Sequence, residues 1–271
     1  MSLLPRVRTV AIAPMALALL GLVAVLLPLG FAAPAHAAAP SYVALGDSYA
    51  SGLGTRSYTN SNCRRSDLAY PRLVADQRGY SLDFRACSGA TVPNVRNNQL
   101  GGLGAGTDFV SVQVGGNDAG FADVITECAT PWWAGNCNAA IDGAQAFIRN
   151  QLPGRLSNLY GDIRSRAASA EVVVVGYPRL FMGEDCNAGT WFSPAEQDRL
   201  NATADLLNDR IRAQAAAAGF GFVDPTGRFV GHAVCDNTEW VNGLAYPIDE
   251  SYHPNRAGHR DGYRPLVAAQ L

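Results

Sequence analysis

Hydrophobic and polar positions divide this chain into two unequal parts. From Thr9 to Ala35 there is no formal charge, and Leu, Ala and Val dominate. Arg6 and Arg8 precede this run, and Ala35-His36-Ala37 closes it. A positive start, an apolar middle and an A-x-A end predict a secretory signal peptide over residues 1–37, cleaved after Ala37. The run is long enough to span a bilayer. Against an uncleaved anchor stand Pro14, Pro28 and Pro34, and an A-x-A site directly before globular sequence. Residues 1–37 contain no Arg-Arg pair, so a twin-arginine signal is not expected.

After residue 38 the pattern changes to short apolar runs separated by helical periodicity. Residues 42–45 form an apolar run before a glycine and predict a buried strand. Residues 55–66 are polar and read as a loop, and 68–78 as a helix. Residues 82–86 alternate like an edge or half-covered strand. Residues 108–114 (DFVSVQV) predict a strand with a turn at Gly115-Gly116. A long helical pattern covers 141–168, with a break at Pro153. Residues 171–175 (EVVVV) are the clearest buried strand. A strong helix is predicted over 194–218, with Ser193 as cap, Pro194 in its first turn, Glu196 following and Gly219 as stop. A short strand at 220–223 and a terminal helix over 255–270 complete the series. Strands alternating with helices predict one domain, 38–271, built on a parallel sheet with helices on both faces. In such sheets ligands sit at the carboxyl ends of the strands.

Composition narrows the setting. Loss of residues 1–37 removes two Arg and no acid, so the formal charge moves from −2 to −4. That excludes a polyanion-binding surface, and no nucleic-acid partner is expected. The chain has no Lys, and every fixed cation is Arg. Six cysteines, an even number in an exported chain, predict three disulfides, and the residues alone leave all fifteen pairings open. No C-x-x-C pair exists, so a cysteine metal site is not expected.

Three segments that follow predicted strands contain chemistry: Gly46-Asp47-Ser48, Cys87-Ser88-Gly89-Ala90 and Gly115-Gly116-Asn117-Asp118. A fourth, DESYHPNRAGH (249–259), carries His253. Singly, each has an ordinary structural explanation. Asp-Ser makes turns and caps, Gly89 suits a tight turn, Asn117-Asp118 caps helices, and a His before Pro sits in surface loops. Together they supply what acyl transfer needs: a nucleophile, a base to take its proton, and N–H donors for the developing oxyanion.

On these blocks the chain resembles the SGNH hydrolase superfamily, the GDSL-type lipases and esterases, and within it the secreted, disulfide-bonded lipase and phospholipase group of actinomycetes. The four blocks occur in the family's order over about 210 residues. The resemblance implies a flavodoxin-like three-layer α/β/α sandwich with a central parallel sheet. It implies Ser48 as nucleophile and His253 as base. The oxyanion hole would comprise the N–H groups of Ser48 and Gly89 and the side-chain amide of Asn117. Residue 49 is Tyr rather than the family's Leu, a change expected to affect packing more than chemistry. Many members carry Asp three residues before the His, where this chain has Glu250. In the secreted group a backbone carbonyl takes that place, so the Ser251 carbonyl is the expected orienting group, with Glu250 the alternative. The resemblance also implies the pairs Cys63–Cys87, Cys128–Cys137 and Cys186–Cys235. The general hydrolase motif G-x-S-x-G is absent, which counts against a nucleophile elbow.

The expected activity is carboxylic ester hydrolysis, most directly of lipid acyl esters, by a secreted monomer without cofactor, metal or membrane span after processing. A carbohydrate acetyl esterase using the same four residues is the alternative, and a non-enzymatic binding module is the rival from another class. A metal site at His253, His259 and Asp261 is not expected, because His-x5-His diverges on a helix. Leu53, Tyr58, Phe121, Trp132, Trp133 and Trp240 lie near the blocks in sequence and are candidates to line an open acyl cleft.

Overall fold

The computed structural model describes residues 38–271, and before them only positions 2, 4, 9–11 and 13. The signal-peptide reading of 1–37 therefore lies outside the described residues. Five strands form one sheet: β1 (Ser41–Gly46), β2 (Ser81–Phe84), β3 (Phe109–Gln113), β4 (Glu171–Val175) and β5 (Gly221–Val223). All pairings are parallel, in the order β2-β1-β3-β4-β5. The apolar runs account for this arrangement. Val43, Ala44 and Leu45 of β1 and Val172 to Val175 of β4 are buried, as interior strands covered on both faces must be. β2 is an edge strand with partly covered residues, matching its alternating sequence.

The helices are α1 (Ser48–Ser51), α2 (Tyr70–Arg78), α3 (Val92–Asn98), α4 (Phe121–Ala129), α5 (Cys137–Asn150), α6 (Leu152–Arg166), α7 (Pro194–Ala217) and α8 (Arg264–Ala268). α2 and α8 pack together on one side of the sheet, while α3, α5, α6 and α7 pack on one another on the other, with α4 against α5. This is the flavodoxin-like doubly wound arrangement, and its strand order reverses direction between β1 and β3. Ligands of such sheets bind at that switch point, beyond the carboxyl ends of the strands. The four candidate blocks follow β1, β2 and β3 or reach this end from the last loop. Among the described residues no helix is long and apolar enough to cross a membrane.

Helix ends follow local chemistry. Ser193 accepts the Glu196 N–H while the Glu196 carboxylate accepts the Ser193 N–H, a capping box that starts α7 where the sequence predicts it. The long pattern over 141–168 divides at Gln151 into α5 and α6, with Pro153 in the first turn of α6. Three helices have no reading in the sequence pattern: the single turn α1, α3 and α4. α3 is short and capped by Thr91 with Asn94 in place of an acid. α4 follows a left-handed Gly120 with no side-chain cap. The terminal helix predicted over 255–270 is present over residues 256–268, widened to a π-helix at Gly258–Tyr263 before α8. Pro265 has no N–H to return to the preceding turn, and the Asp261 carbonyl accepts Arg228 Nε at 3.0 Å.

Disulfides join Cys63–Cys87, Cys128–Cys137 and Cys186–Cys235. The first ties the loop after α1 to the turn after β2, and the Ser88 N–H donates to the Cys63 carbonyl beside it at 3.0 Å.

Candidate active site

Asp47 and Ser48 leave β1 at the switch point. The Asp47 N–H donates to the Gln113 carbonyl of β3, and the Asp47 carboxylate caps α1 by accepting the Tyr49 N–H at 3.0 Å. Its other oxygen accepts the Tyr177 hydroxyl at 2.5 Å. Asp47 is buried, and desolvation raises its pKa to about 7, against the lowering effect of the Tyr177 bond. Asp47 therefore fixes the turn that carries Ser48 and is not directed at His253.

Ser48 Oγ lies 2.8 Å from His253 Nε2, and His253 Nδ1 lies 2.8 Å from the Ser251 carbonyl oxygen. A carbonyl only accepts, so Nδ1 carries the hydrogen and Nε2 of the neutral ring is the acceptor for the Ser48 hydroxyl. The neutral ring is the favoured form: burial lowers the His253 pKa to about 4, opposed by the Ser251 bond and by the charge of Asp249. Glu250 does not contact the imidazole. Its carboxylate accepts the Tyr58 hydroxyl at 2.6 Å and faces Arg56 Nε at 3.5 Å.

The loop bearing His253 is fixed from three directions. Asn242 exchanges backbone bonds with it, its N–H donating to the His253 carbonyl and its carbonyl accepting the Tyr252 N–H. Tyr252 adopts φ 58°, rare for a side chain of this size, which turns the chain so that His253 reaches back to the carbonyl two residues earlier. The Tyr49 hydroxyl donates to the Tyr252 carbonyl at 2.6 Å, and its ring centroid lies 5.1 Å from the imidazole. Tyr49 thus does more than alter packing, because its hydroxyl bonds a loop far along the chain that a Leu would only touch. Gly54 has φ 99°, and a Cβ there would come within 2.6 Å of the Pro254 carbonyl and 3.0 Å of His253 Cβ. The absence of a side chain lets the loop seat against the end of α1.

The remaining blocks flank the end of β1, the Gly89 turn through its bond to Gly46 and Asn117 by lining the same cavity as Ser48. Cys87 to Ala90 form a tight turn closed by the Ala90 N–H on the Cys87 carbonyl, with Gly89 at φ 79°. The turn is held to β1 by the Cys87 N–H on the Gly46 carbonyl. Asn117 Nδ2 spends one N–H on the Ala90 carbonyl at 3.1 Å, leaving its second for a ligand. Asp118, whose side chain is fully buried, accepts the Val92 N–H and Arg155 Nη1 and so anchors the Asn117 turn to α3 and α6. The roles of Tyr49, Tyr177 and Asp118 have no signal in the sequence beyond residue type, since each depends on a distant partner.

An apolar cavity of about 80 Å³ opens beside Ser48 and Asn117 and runs between α4, α5 and α7, past Val124, Ile148, Leu200 and Leu207. Of the aromatic and apolar residues expected to line an acyl cleft, Phe121 does so. Leu53 and Trp240 are buried elsewhere, and Tyr58 serves Glu250. Trp132 and Trp133, 83% and 68% exposed, stand out from the loop between Cys128 and Cys137. Closeness in sequence misleads here because α4 carries the chain away from Asn117. His259 is buried and its Nδ1 accepts the Tyr70 N–H, which gives it a structural role in the core.

Fold and geometry together define a hydrolase class in which a Ser–His pair stands at the carboxyl edge of a flavodoxin-like sheet. The chain belongs to the GDSL-like lipase/acylhydrolase family, whose family model matches residues 44–260, and it is a carboxylic ester hydrolase. It is 42% identical to a lipase of Streptomyces rimosus over 88% of this chain and 91% of that protein. It is 43% identical to lipase 1 of Streptomyces coelicolor over 85% and 87%. The crystal structure of phospholipase A1 from Streptomyces albidoflavus NA297 is similar with a TM-score of 0.82 and 44% identity, covering 86% of this chain and all of that one. An acetylxylan esterase from Geobacillus stearothermophilus, at 16% identity and a TM-score of 0.54, shares the fold alone.

Proposed function

We propose that residues 38–271 are a secreted, monomeric serine esterase acting on acyl-chain esters of lipids, released by cleavage after Ala37. Ser48 gives its hydroxyl proton to His253 Nε2 as its Oγ attacks the ester carbonyl. The oxyanion is held by the N–H groups of Ser48 and Gly89 and by the second amide N–H of Asn117. His253 then passes the proton to the departing alcohol, and water, activated by the same imidazole, cleaves the acyl-enzyme. The Ser251 carbonyl keeps the imidazole in the productive tautomer.

The observation that carries this reading is the 2.8 Å Ser48–His253 contact at the mouth of an apolar cavity. The lining beyond Ser48 is predominantly apolar and continues past Val124, Ile148 and Leu207, which supports acyl chains over acetylated carbohydrate. Export is supported by the three disulfides and by the similarity to an extracellular lipase of Streptomyces rimosus, 41% identical. The test is Ser48→Ala beside wild type on aryl esters from acetyl to dodecanoyl. Wild type is expected to favour octanoyl or longer over acetyl, and the variant to lose roughly a thousandfold or more. An acetyl preference would point to the carbohydrate esterase instead.

A further inference from the structure

The carbonyl of Gly46, the last residue of β1, joins two of the four blocks. Ser48 stands two positions after it in the chain. Cys87, two positions before Gly89, donates its N–H to that carbonyl at 3.0 Å. Strand pairing does not reach Gly46 on this side, because β2 ends at Phe84, opposite Ala44. The Gly46 N–H and the second lone pair of its carbonyl therefore have no strand partner on the β2 side.

Gln99 serves both. Its Oε1 accepts the Gly46 N–H at 2.8 Å, and its Nε2 donates to the Gly46 carbonyl at 2.9 Å. A side-chain amide presents an acceptor and a donor side by side, as the edge of a strand does. Gln99 is 3% exposed and stands at the C-terminal end of α3, where its own N–H bonds the Val95 carbonyl at 3.0 Å. The other end of α3 is held as well. The Val92 N–H donates to the carboxylate of Asp118, next to Asn117, at 2.8 Å. One short helix thus bonds the Asn117 turn at its start and the end of β1 at its finish. The Gly46 carbonyl takes Gln99 on one side and Cys87 on the other, so its place sets the spacing between the Ser48 turn and the Gly89 turn.

We propose that Gln99 is a positioning residue for ester hydrolysis, acting through Gly46 to hold the backbone N–H groups of Ser48 and Gly89 at the spacing an oxyanion requires. It touches neither substrate nor reacting atoms. The proposal rests on the oxyanion hole of Ser48, Gly89 and Asn117 described above and adds the group that fixes its span. An oxyanion donor is effective at about 2.7–3.1 Å, so a small parting of the two turns weakens the transition state. Binding of the acyl chain in the apolar cavity does not depend on that spacing.

The experiment measures steady-state kinetics of the mature enzyme on p-nitrophenyl hexanoate, with urea midpoints beside them. Gln99→Met keeps the length of the side chain and removes both bonds. It is expected to lower kcat about tenfold or more with KM within about twofold, the signature of an interaction expressed only in the transition state. Arg96→Ala is the control for a loosened α3, since it removes the ion pair of Arg96 with Asp162 on α6, at 2.7 Å, and leaves Gly46 alone. Its kcat is expected within about twofold of wild type even where its urea midpoint falls. Gln99→Glu decides the matter should Gln99→Met not fold. Protonated, it presents the same acceptor and donor, and ionised it loses the donor. Its kcat relative to wild type at the same pH is expected within about threefold at pH 5 and about fivefold lower again at pH 8. Arg65, Arg85 and Asp83 line the same depression as Gln99, and Asp47 follows Gly46. Wild type shares these groups and His253, so their titration cancels in the ratio. A kcat for Gln99→Met within about threefold of wild type overturns the proposal, as does an equal fall in Arg96→Ala or a Gln99→Glu ratio that is the same at both pH values. Each of those results leaves the esterase reading intact, whereas wild type inert on the ester is failure of that reading itself.

Discussion

The Tyr49 hydroxyl donates to the main-chain carbonyl of Tyr252, 2.6 Å away, and so connects the residue after the proposed nucleophile to the residue before the proposed base. The bond is buried and spans most of the chain. It acts on the peptide that sets the direction of His253 and touches none of the reacting atoms, so Tyr49 is a positioning residue. Tyr49→Phe keeps the ring and removes the bond. It is expected to lower kcat by about tenfold or more with KM nearly unchanged, because a small misplacement of a catalytic group is costly. Steady-state kinetics on a soluble ester checks this, and a fall confined to KM would contradict it.

Glu250 occupies the position where many family members carry the acid, yet its carboxylate serves Tyr58 and Arg56. Glu250→Gln retains an acceptor for the Tyr58 hydroxyl. Activity within about threefold of wild type is expected, whereas loss of a true triad acid costs roughly ten-thousandfold in kcat. A collapse approaching that size would transfer the orienting role from the Ser251 carbonyl to this side chain.

As the proposed base His253 works when neutral, and burial places its pKa at about 4. The fraction of competent enzyme is therefore complete at neutral pH and declines as the pH falls through about 4. A profile of kcat/KM against pH, which reports the free enzyme, is expected to show its acid limb there. An acid limb at the ordinary histidine value of 6.5 would mean that His253 is solvated.

Asp47 shifts in the opposite sense and bears on stability. Its folded pKa, about 7, lies above the ordinary 3.8, so between these values the folded chain keeps a proton that the unfolded chain has released. That contribution is complete below about pH 4 and is lost as the pH rises through about 7. Asp47→Asn has no such dependence. The variant is expected to gain stability relative to wild type between pH 4 and pH 7, read from urea midpoints at both ends. A constant difference between the two proteins would refute the buried titration.

The Cys63–Cys87 bridge bears on the turn that presents Gly89, and both of its cysteines lie outside the five strands. Replacing both cysteines by Ser is expected to reduce kcat while the circular dichroism of the folded state persists. Simultaneous loss of both at 25 °C would show that the bridge is needed for the fold itself.

The elements with the strongest chemical signatures are legible in the sequence. The capping box at Ser193, the valine run of β4 and each of the four blocks around Ser48, Gly89, Asn117 and His253 depend on residues near one another along the chain. What is not legible depends on partners far apart: Tyr49 with Tyr252, Tyr177 with Asp47, and Asp118 with Arg155. α4 has no start signal because a left-handed glycine begins it, and the terminal helix widens because Pro265 removes a donor that no periodicity records. Trp132 and Trp133 stand away from the cleft for a related reason, since distance along the chain does not give direction.

The contact between His253 and the Ser251 carbonyl has a consequence for how this site responds to substitution. A carbonyl belongs to every residue, so no exchange of side chain at position 251 deletes it. Alanine scanning of the loop would register the proposed base and return nothing for the carbonyl that orients it. What sustains that contact is a backbone angle at Tyr252, held by neighbours on both sides. Transplanting the function to another scaffold would accordingly require moving the whole loop, because the instruction resides in its shape.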